Sequence, residues 1–193
     1  MSRLDQTDGA PAAPGEGSGM WTRQGPYLLD WASFGALLGE IAEQVRVDDF
    51  RPDAVLAVAR GGLTAAGYLC CALDVPVMHT IRVRRTRGDE RYAAKQRPVI
   101  DTDGPLRVGP GDRVLVVDDI VGTGATAEAV REHLRSAGVA DDGVRLAAVV
   151  RNHQSQYLPD YCPAVIDDWI VFPWEAGWQD TADCRPFAAQ GPS

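Results

Sequence analysis

The residues best placed to do chemistry are the adjacent acids Asp118 and Asp119, which close an apolar run and lead into the glycine- and threonine-rich segment 122–126. Backbone N–H groups and hydroxyls in such a segment, at the start of a helix, bind a phosphate dianion. The two carboxylates would repel that phosphate, so we expect them to bind hydroxyl groups or a cation close by. The pattern predicts a ligand with both a phosphate and a diol, as in a ribose phosphate. The alternative, an ordinary capped helix with surface acids, leaves two acids at the end of a buried strand unexplained.

A second glycine-rich segment, Ala59-Arg60-Gly61-Gly62, lies at the end of another apolar run. Two glycines allow the backbone to approach a ligand closely, and Arg60 can pair with pyrophosphate oxygens. Gly-Gly loops are common, so this segment predicts an anion site only in combination with the acid pair and the segment 122–126.

The segment 84–97 is dense in charge and has no apolar period, which predicts a long surface loop. Its six basic residues are Arg84, Arg85, Arg87, Arg91, Lys95 and Arg97. A solvated surface loop is the simplest interpretation of such a run of charge.

The elements that must position these segments are short apolar runs alternating with segments of helical apolar spacing. The predicted strands are 54–59, 75–83, 99–100, 113–117 and 144–150, and the predicted helices are 31–45, 63–73 and 124–136. Asp30 is the expected cap of the first helix, and Gly138 the expected stop of the third. Such alternation gives a parallel sheet with right-handed crossovers, whose ligands bind beyond the carboxyl ends of the strands.

Composition excludes several classes of protein. A length of 193 residues with 45% hydrophobic residues suits one α/β domain with a full core. The net charge of −8 argues against a protein that binds nucleic acid through its phosphates, and no stretch is apolar enough to span a membrane. The first twenty residues predict a disordered leader and not a signal peptide. The four cysteines form no C-x-x-C pair, which favours a reduced, cytoplasmic protein, and the adjacent Cys70 and Cys71 are expected in the core as small apolar residues.

The segment Val114 to Thr126 consists of an apolar strand, two acids, two apolar residues and a T-G-x-T loop. It resembles the signature by which type I phosphoribosyltransferases bind 5-phosphoribosyl-1-pyrophosphate (PRPP). The resemblance implies an α/β fold with a Rossmann-like parallel sheet flanked by helices and a small C-terminal hood. It also implies an enzyme that transfers the phosphoribosyl group of PRPP to a nitrogen, with Mg²⁺ as cofactor, and releases pyrophosphate.

The same resemblance implies roles for individual residues at the donor site. Asp118 and Asp119 would bind the ribose 2′- and 3′-hydroxyls and, with Arg60, would be the catalytic residues. The 5′-phosphate would be held by Gly122, Thr123, Gly124, Ala125 and Thr126. The pyrophosphate loop would be Ala59, Arg60, Gly61 and Gly62, whose RGGL form is most similar to that of the bacterial xanthine–guanine branch. The basic loop 84–97 would be the lid that closes over PRPP.

The segment Asp167 to Glu175, DDWIVFPWE, resembles the hood of purine phosphoribosyltransferases. The resemblance implies that Trp169 stacks on the base, that the backbone of Ile170 hydrogen-bonds the edge of the base, and that Glu175 occupies a magnesium-linked position. Aromatic clusters are more often part of a core, so core packing of Trp169 is the alternative. A homodimer is a further implication of the family.

Two positions depart from the 6-oxopurine branch of this family. Gly122 stands where that branch carries an aspartate that acts as general acid and base, and Arg151 stands where it carries a lysine that holds the 6-oxo group. Without the aspartate, either the acceptor is already nucleophilic or another acid serves as base. The candidates for that base are Asp167, Asp168 and Glu175.

The sequence therefore predicts a Mg²⁺-dependent phosphoribosyltransferase that acts on a purine or purine-like base. The alternatives are a non-purine heterocycle or an amine acceptor in specialised-metabolite biosynthesis, and a regulator that senses PRPP without catalysis. The expected organisation is a leader over 1–20, the domain over 21–178 with its hood mainly at 161–178, and a tail over 179–193.

Overall fold

The computed structural model describes residues 21–84, 97–102, 104, 106–177 and 179–188. Its helices and strands, in chain order, are β1 (Tyr27–Leu28), α1 (Trp31–Val47), β2 (Ala54–Ala59), α2 (Gly62–Ala72), β3 (Met78–Arg84), β4 (Val99–Asp101), β5 (Val114–Val121), α3 (Ala125–Ser136), β6 (Val144–Asn152), β7 (Ala164–Ile166), β8 (Ile170–Val171) and β9 (Arg185–Pro186).

Within the described residues, six strands form the main sheet, in the order β4-β3-β2-β5-β6-β7. Neighbouring strands pair in parallel except for β4, which runs antiparallel to β3 at one edge. The predicted α/β fold with a parallel sheet flanked by helices is confirmed. The carboxyl ends of β2, β5 and β6 lie side by side along one edge, so the segments that follow them are neighbours.

The central strands are buried on both faces, as their continuous apolar runs predict. In β2, Val55 and Ala57 face the core formed with α1 and α2, whereas Leu56 and Val58 face the core formed with α3. This alternation, with period two, fixes which side chains of each strand can reach each layer of helices.

The helix boundaries follow the predicted signals. Oδ1 of Asp30 accepts a hydrogen bond from the N–H of Ser33 at 2.7 Å, which caps α1. That bond stabilises the charged carboxylate and so lowers the pKa of Asp30. At the end of α3 the chain turns at Gly138, whose φ of +92° is the left-handed conformation that glycine adopts without strain. Both predicted boundaries are confirmed.

A second, smaller sheet forms the hood from widely separated parts of the chain. Strand β1 lies between β8 and β9 and pairs in parallel with both. The hood therefore includes residues 27–28 near one end of the described chain and 185–186 near the other, in addition to the segment that the sequence indicated. Each of its strands has only two residues, too few to show a period.

Two expectations are corrected. Strand β5 extends to Val121 and not to 117, so Asp118 and Asp119 lie within the strand and are held by its ladder to β6. Cys70 and Cys71 were expected in the core as small apolar residues, but Cys71 is exposed because it lies on the outer face of α2. Among the described residues, no helix has the length and apolar character needed to cross a membrane.

Candidate active site

The acid pair is oriented by its own backbone. The N–H of Asp119 donates to Oδ1 of Asp118 at 3.0 Å, and the N–H of Ile120 donates to Oδ1 of Asp119 at 2.8 Å. Both aspartates are half-buried at the carboxyl end of β5. Backbone N–H groups stabilise the ionised carboxyl groups, so the pair forms a fixed cluster of negative charge at this edge.

The glycine pair after β2 lies directly against this strand. A β-carbon on Gly61 would overlap the carboxylate of Asp119, and a β-carbon on Gly62 would overlap the carbonyl oxygen of Val117. Helix α2 can therefore begin this close to β5 only because both positions lack a side chain. Arg60 precedes the pair, is exposed, and is joined to Ala59 by a cis peptide bond. The structure thus brings the two sequence-predicted segments together.

The loop after β5 turns sharply into α3. Gly124 has a φ of +88°, and its carbonyl oxygen accepts the N–H of Glu128 at 3.0 Å as the first bond of the helix. The hydroxyl oxygen of Thr123 accepts the N–H of Ala125 at 3.4 Å. The loop and the first turn of α3 thus form the helix N-terminus at which an anion is stabilised. Thr126, in that first turn, is half-buried.

Tyr157 packs against this loop and was not identified from the sequence. A β-carbon on Gly124 would overlap Cβ of Tyr157 and would lie 2.9 Å from its Cγ. The Tyr157 hydroxyl oxygen accepts a hydrogen bond from Nε of Arg131 at 2.7 Å, and Nη2 of Arg131 lies 3.0 Å from Oδ2 of Asp160. Tyr157 therefore links the loop to α3. Nothing in the irregular segment 153–160 signals this role.

Arg151 lies at the same edge, on the next strand. It pairs in register with Val121, the residue before Gly122. Its Nη1 donates to the carbonyl oxygens of Asn152 at 3.2 Å and Ser155 at 3.5 Å, and its side chain is half-buried. Because a guanidinium has five N–H donors, these two bonds leave donors for a ligand.

Cys162 is a largely buried thiol close enough to Arg151 for the guanidinium charge to affect its pKa. Burial raises the pKa of the Cys162 thiol to about 11, although the hydrogen bond to Ala164 and the positive charge of Arg151 oppose the rise. The guanidinium of Arg151 therefore lies beside a thiol that is neutral at physiological pH.

Trp169 precedes β8 in the hood. Its ring is half-buried and contacts Trp21 edge-on, with centroids 5.7 Å apart and an interplanar angle of 64°. Its carbonyl oxygen accepts the N–H of Tyr27 at 2.8 Å, and Ile170 pairs with Tyr27 in the small sheet. Trp169 packs against the main core as well, which supports the core alternative. Trp21 was missed because it adjoins the glycine-rich leader.

The two aspartates of the hood hold it together. Asp168 has 0% exposure, and its Oδ2 accepts the N–H groups of Gln24 at 2.7 Å and Gly25 at 3.1 Å. The Thr22 hydroxyl donates to the same oxygen at 3.3 Å, and the N–H of Trp169 donates to Oδ1 at 2.7 Å.

Asp167 accepts the Tyr27 hydroxyl at 2.8 Å and lies 3.4 Å from Nη2 of Arg185. Burial and the bond to Asp167 raise the pKa of Tyr27. Glu175 closes its own turn, since Oε2 accepts the N–H of Phe172 at 3.1 Å. All three acids that the sequence offered as alternative bases therefore have bonds within the hood.

The basic loop falls mostly outside the described residues. Arg84, at the end of β3, and Arg97 are described and exposed. Arg85, Arg87, Arg91 and Lys95 lie outside them, so the role of the lid stays a prediction.

No group of three or more His, Cys, Asp or Glu side chains within the described part of the chain could hold a metal ion alone. Mg²⁺, however, is commonly held by one or two carboxylates together with the phosphate oxygens of a substrate. The acid pair at the end of β5 fits a cation that arrives with its ligand.

Comparison with known proteins agrees with this geometry. A family model described as the phosphoribosyl transferase domain matches residues 27–181. The chain is 32% identical over 146 residues to the xanthine-guanine phosphoribosyltransferase of Roseobacter denitrificans, covering 69% of this chain and 77% of that one.

Solved structures share the fold. The purine phosphoribosyltransferase from Pyrococcus horikoshii matches with a TM-score of 0.64 and 29% identity, over 78% of this chain and 94% of that one. The xanthine-guanine-hypoxanthine phosphoribosyltransferase of Helicobacter pylori matches with a TM-score of 0.65 and 21% identity, over 80% and 95% of the two chains.

Proposed function

Because the chain belongs to the type I phosphoribosyltransferase family, in its xanthine–guanine and hypoxanthine branch, we propose that it transfers the phosphoribosyl group of PRPP to a purine or purine-like base. The protein is thus an enzyme, and the transfer releases pyrophosphate. The proposal depends above all on one observation, the meeting at one sheet edge of the acid pair, the Gly61–Gly62 backbone and the loop that opens α3.

On the donor side, the loop from Gly122 to Thr126 holds the 5′-phosphate with its N–H groups and hydroxyls. Asp118 and Asp119 accept hydrogen bonds from the ribose 2′- and 3′-hydroxyls. The segment Ala59 to Gly62 holds the pyrophosphate, and Arg60 stabilises the negative charge that develops on it as the bond to C1′ breaks.

Magnesium enters this proposal as a companion of PRPP. The residues that would contact it are Asp118 and Asp119, with Glu175 as the magnesium-linked acid of the hood. When bound, the ion would neutralise charge on the pyrophosphate. The half-buried acid pair is suited to this because its orientation is already fixed by backbone N–H groups.

On the acceptor side, Trp169 stacks on the base, Ile170 offers backbone groups to its edge, and Arg151 donates to an exocyclic oxygen. The names of the relatives, a xanthine-guanine and a purine phosphoribosyltransferase, support a purine acceptor. A homodimer and a cytoplasmic location complete the proposal, from the family and from the four free cysteines.

One observation favours a second candidate. Gly122 removes the acidic side chain that the 6-oxopurine branch carries, so a non-purine heterocycle or an amine remains an alternative acceptor. No comparable observation favours a regulator that senses PRPP.

The test is to incubate the protein with PRPP, Mg²⁺ and single acceptors, and to identify the product by mass spectrometry. The panel contains xanthine, hypoxanthine, guanine, adenine, non-purine heterocycles and amines. We expect a purine nucleoside monophosphate. A product only from a non-purine acceptor would favour the second candidate, and PRPP binding without any product would favour a regulator.

A further inference from the structure

At Gly122 the acceptor half of the site has no side chain that could accept a proton, and this restricts the acceptor itself. We propose that the enzyme uses ring N–H acceptors that are already anions near neutral pH, so that xanthine is its preferred natural purine and hypoxanthine and guanine are poor substrates. The inference builds on the proposed function and concerns the substrate of that same site.

Strand register defines the edge that the acceptor would approach. Val121 pairs with Arg151, and Asn152 pairs with Ile166, so Gly122, the end of β6 and the Asp167–Asp168 pair follow one another along this edge. Gly122 is buried and has no side chain with which to take a proton.

The carboxylates of the hood are poor substitutes for the missing base. Asp168 is completely buried and accepts hydrogen bonds from Gln24, Gly25 and Trp169 N–H groups. A proton on this carboxylate would remove the charge that these donors bind, and hydrogen bonds to a charged acceptor are about twice as strong as those to a neutral one.

The other two acids are also engaged. Asp167 accepts the Tyr27 hydroxyl at 2.8 Å and lies beside Arg185. Glu175 accepts the N–H of Phe172 at 3.1 Å, within its own turn. Proton transfer to either would weaken contacts that shape the hood.

The guanidinium of Arg151 suits an anionic acceptor. Among the described residues, no carboxylate lies within ion-pair distance of the half-buried guanidinium of Arg151, which donates to two neutral carbonyl oxygens. A guanidinium stays charged at all physiological pH values, so an acceptor anion would supply its counter-charge. The charge of Arg151 acts on Cys162, whose pKa is raised to about 11, and the exposed His153 follows two residues later in the chain.

The bond changes then balance without a proton acceptor. The anionic ring nitrogen donates its electron pair to C1′ of PRPP, the C1′–O bond to pyrophosphate breaks, and its electron pair leaves on pyrophosphate. A neutral acceptor would have to lose a proton as well. Xanthine ionises near neutral pH, whereas hypoxanthine and guanine are neutral there.

The first test measures kcat/KM against pH for xanthine, hypoxanthine and a matched pair, guanine and 8-azaguanine. The additional ring nitrogen makes 8-azaguanine the stronger acid. We expect the acid limb of each profile to follow the pKa of the acceptor, and 8-azaguanine to be used about tenfold better than guanine at neutral pH. One common midpoint for all acceptors would identify a base on the enzyme and overturn the inference.

His153 is examined directly with the His153→Gln variant. If no side chain of the enzyme acts as the base, the fall of kcat/KM at low pH should still follow the pKa of the acceptor in this variant. Loss of the limb would identify His153 as the base and contradict the inference.

The second test uses Gly122→Asp, with Gly122→Asn as the control of equal size. The φ of Gly122 is not positive, so its backbone conformation does not require glycine. The aspartate supplies a base, and we expect kcat/KM for hypoxanthine to rise about 100-fold, with little gain in the asparagine variant.

The outcomes separate the inference from the proposed function. Equal use of hypoxanthine and xanthine by the unaltered enzyme overturns only the inference. Absence of transfer to every purine contradicts the proposed function, and the inference with it.

Discussion

Gly61 lies against the carboxylate of Asp119, so that a β-carbon at position 61 would be 2.6 Å from Oδ1 and would overlap the rest of the group. The start of α2 and the end of β5 therefore touch through a glycine backbone and a carboxylate. In the proposed site this contact sets the spacing between the pyrophosphate loop and the ribose-binding acid.

Gly61→Ala should displace Asp119 and lower turnover with PRPP by on the order of 100-fold, because an ångström of misplacement is enough for such a loss. The control is Gly67→Ala in α2, where a β-carbon would meet nothing within 4 Å. The control should gain about 0.5–1 kcal/mol in free energy of unfolding and keep its activity. Full activity in Gly61→Ala would show that the contact is not needed.

Gly124→Ala should raise KM for PRPP, because Gly124 has a φ of +88° and lies against Tyr157. Gly111→Ala separates the effect of backbone strain from that of the contact with Tyr157. Gly111 has a φ of +91°, but a β-carbon there would meet nothing within 4 Å. We expect both variants to lose stability in thermal unfolding and only Gly124→Ala to lose affinity for PRPP. Equal KM values in the two variants would contradict a role for the Tyr157 contact.

Asp168→Asn should destabilise the hood, because the amide NH₂ would face backbone N–H donors that now bind a buried carboxylate. The expected loss is about 1–3 kcal/mol in the free energy of unfolding. KM for the acceptor should rise more than KM for PRPP. Asp74→Asn is the control, since Asp74 is exposed at a φ of +55°, which asparagine tolerates. An unchanged Tm in Asp168→Asn would show that the hood does not depend on this carboxylate.

Cys162 should be the slowest of the four cysteines to react with a thiol reagent in the folded protein, and the exposed Cys71 the fastest. Burial raises the pKa of Cys162 to about 11, so near pH 8 it is almost entirely a thiol, which is not the nucleophile. Because the pKa of Cys162 is raised in the folded protein, the thiol ionises at a lower pH in the unfolded chain than in the folded one. Ionisation of Cys162 therefore lowers the free energy of unfolding as the pH increases from its unfolded pKa to about 11. Timed labelling with peptide mass spectrometry measures the order, and early labelling of Cys162 would contradict its buried position.

The sequence was sufficient to predict the main sheet and the edge of it at which the acids and the glycines meet. Strands such as 54–59 are continuous apolar runs, and the acids and glycines that follow them are residue types with few structural alternatives. The glycine pair predicted a close approach of the backbone, but the partner in that approach, Asp119, is visible only in three dimensions.

The hood could not be predicted in the same way. Its two-residue strands carry no periodicity, and they join segments near 27, 170 and 185 that are far apart in sequence. The role of Asp168 depends on donors from residues 22–25, which no local pattern indicates. The division of the chain into leader, domain and tail stays a prediction.

The central claim, phosphoribosyl transfer from a donor site built on the acid pair, is tested most directly by pyrophosphate release from PRPP and Mg²⁺. The measurement compares the unaltered enzyme, given a purine base, with a variant that carries both Asp118→Asn and Asp119→Asn. We expect release that requires the base, and its loss in a double variant that unfolds at an unchanged temperature. Undiminished release in the folded double variant would contradict the assigned donor site, and absence of release from the unaltered enzyme with every acceptor would contradict phosphoribosyl transfer itself.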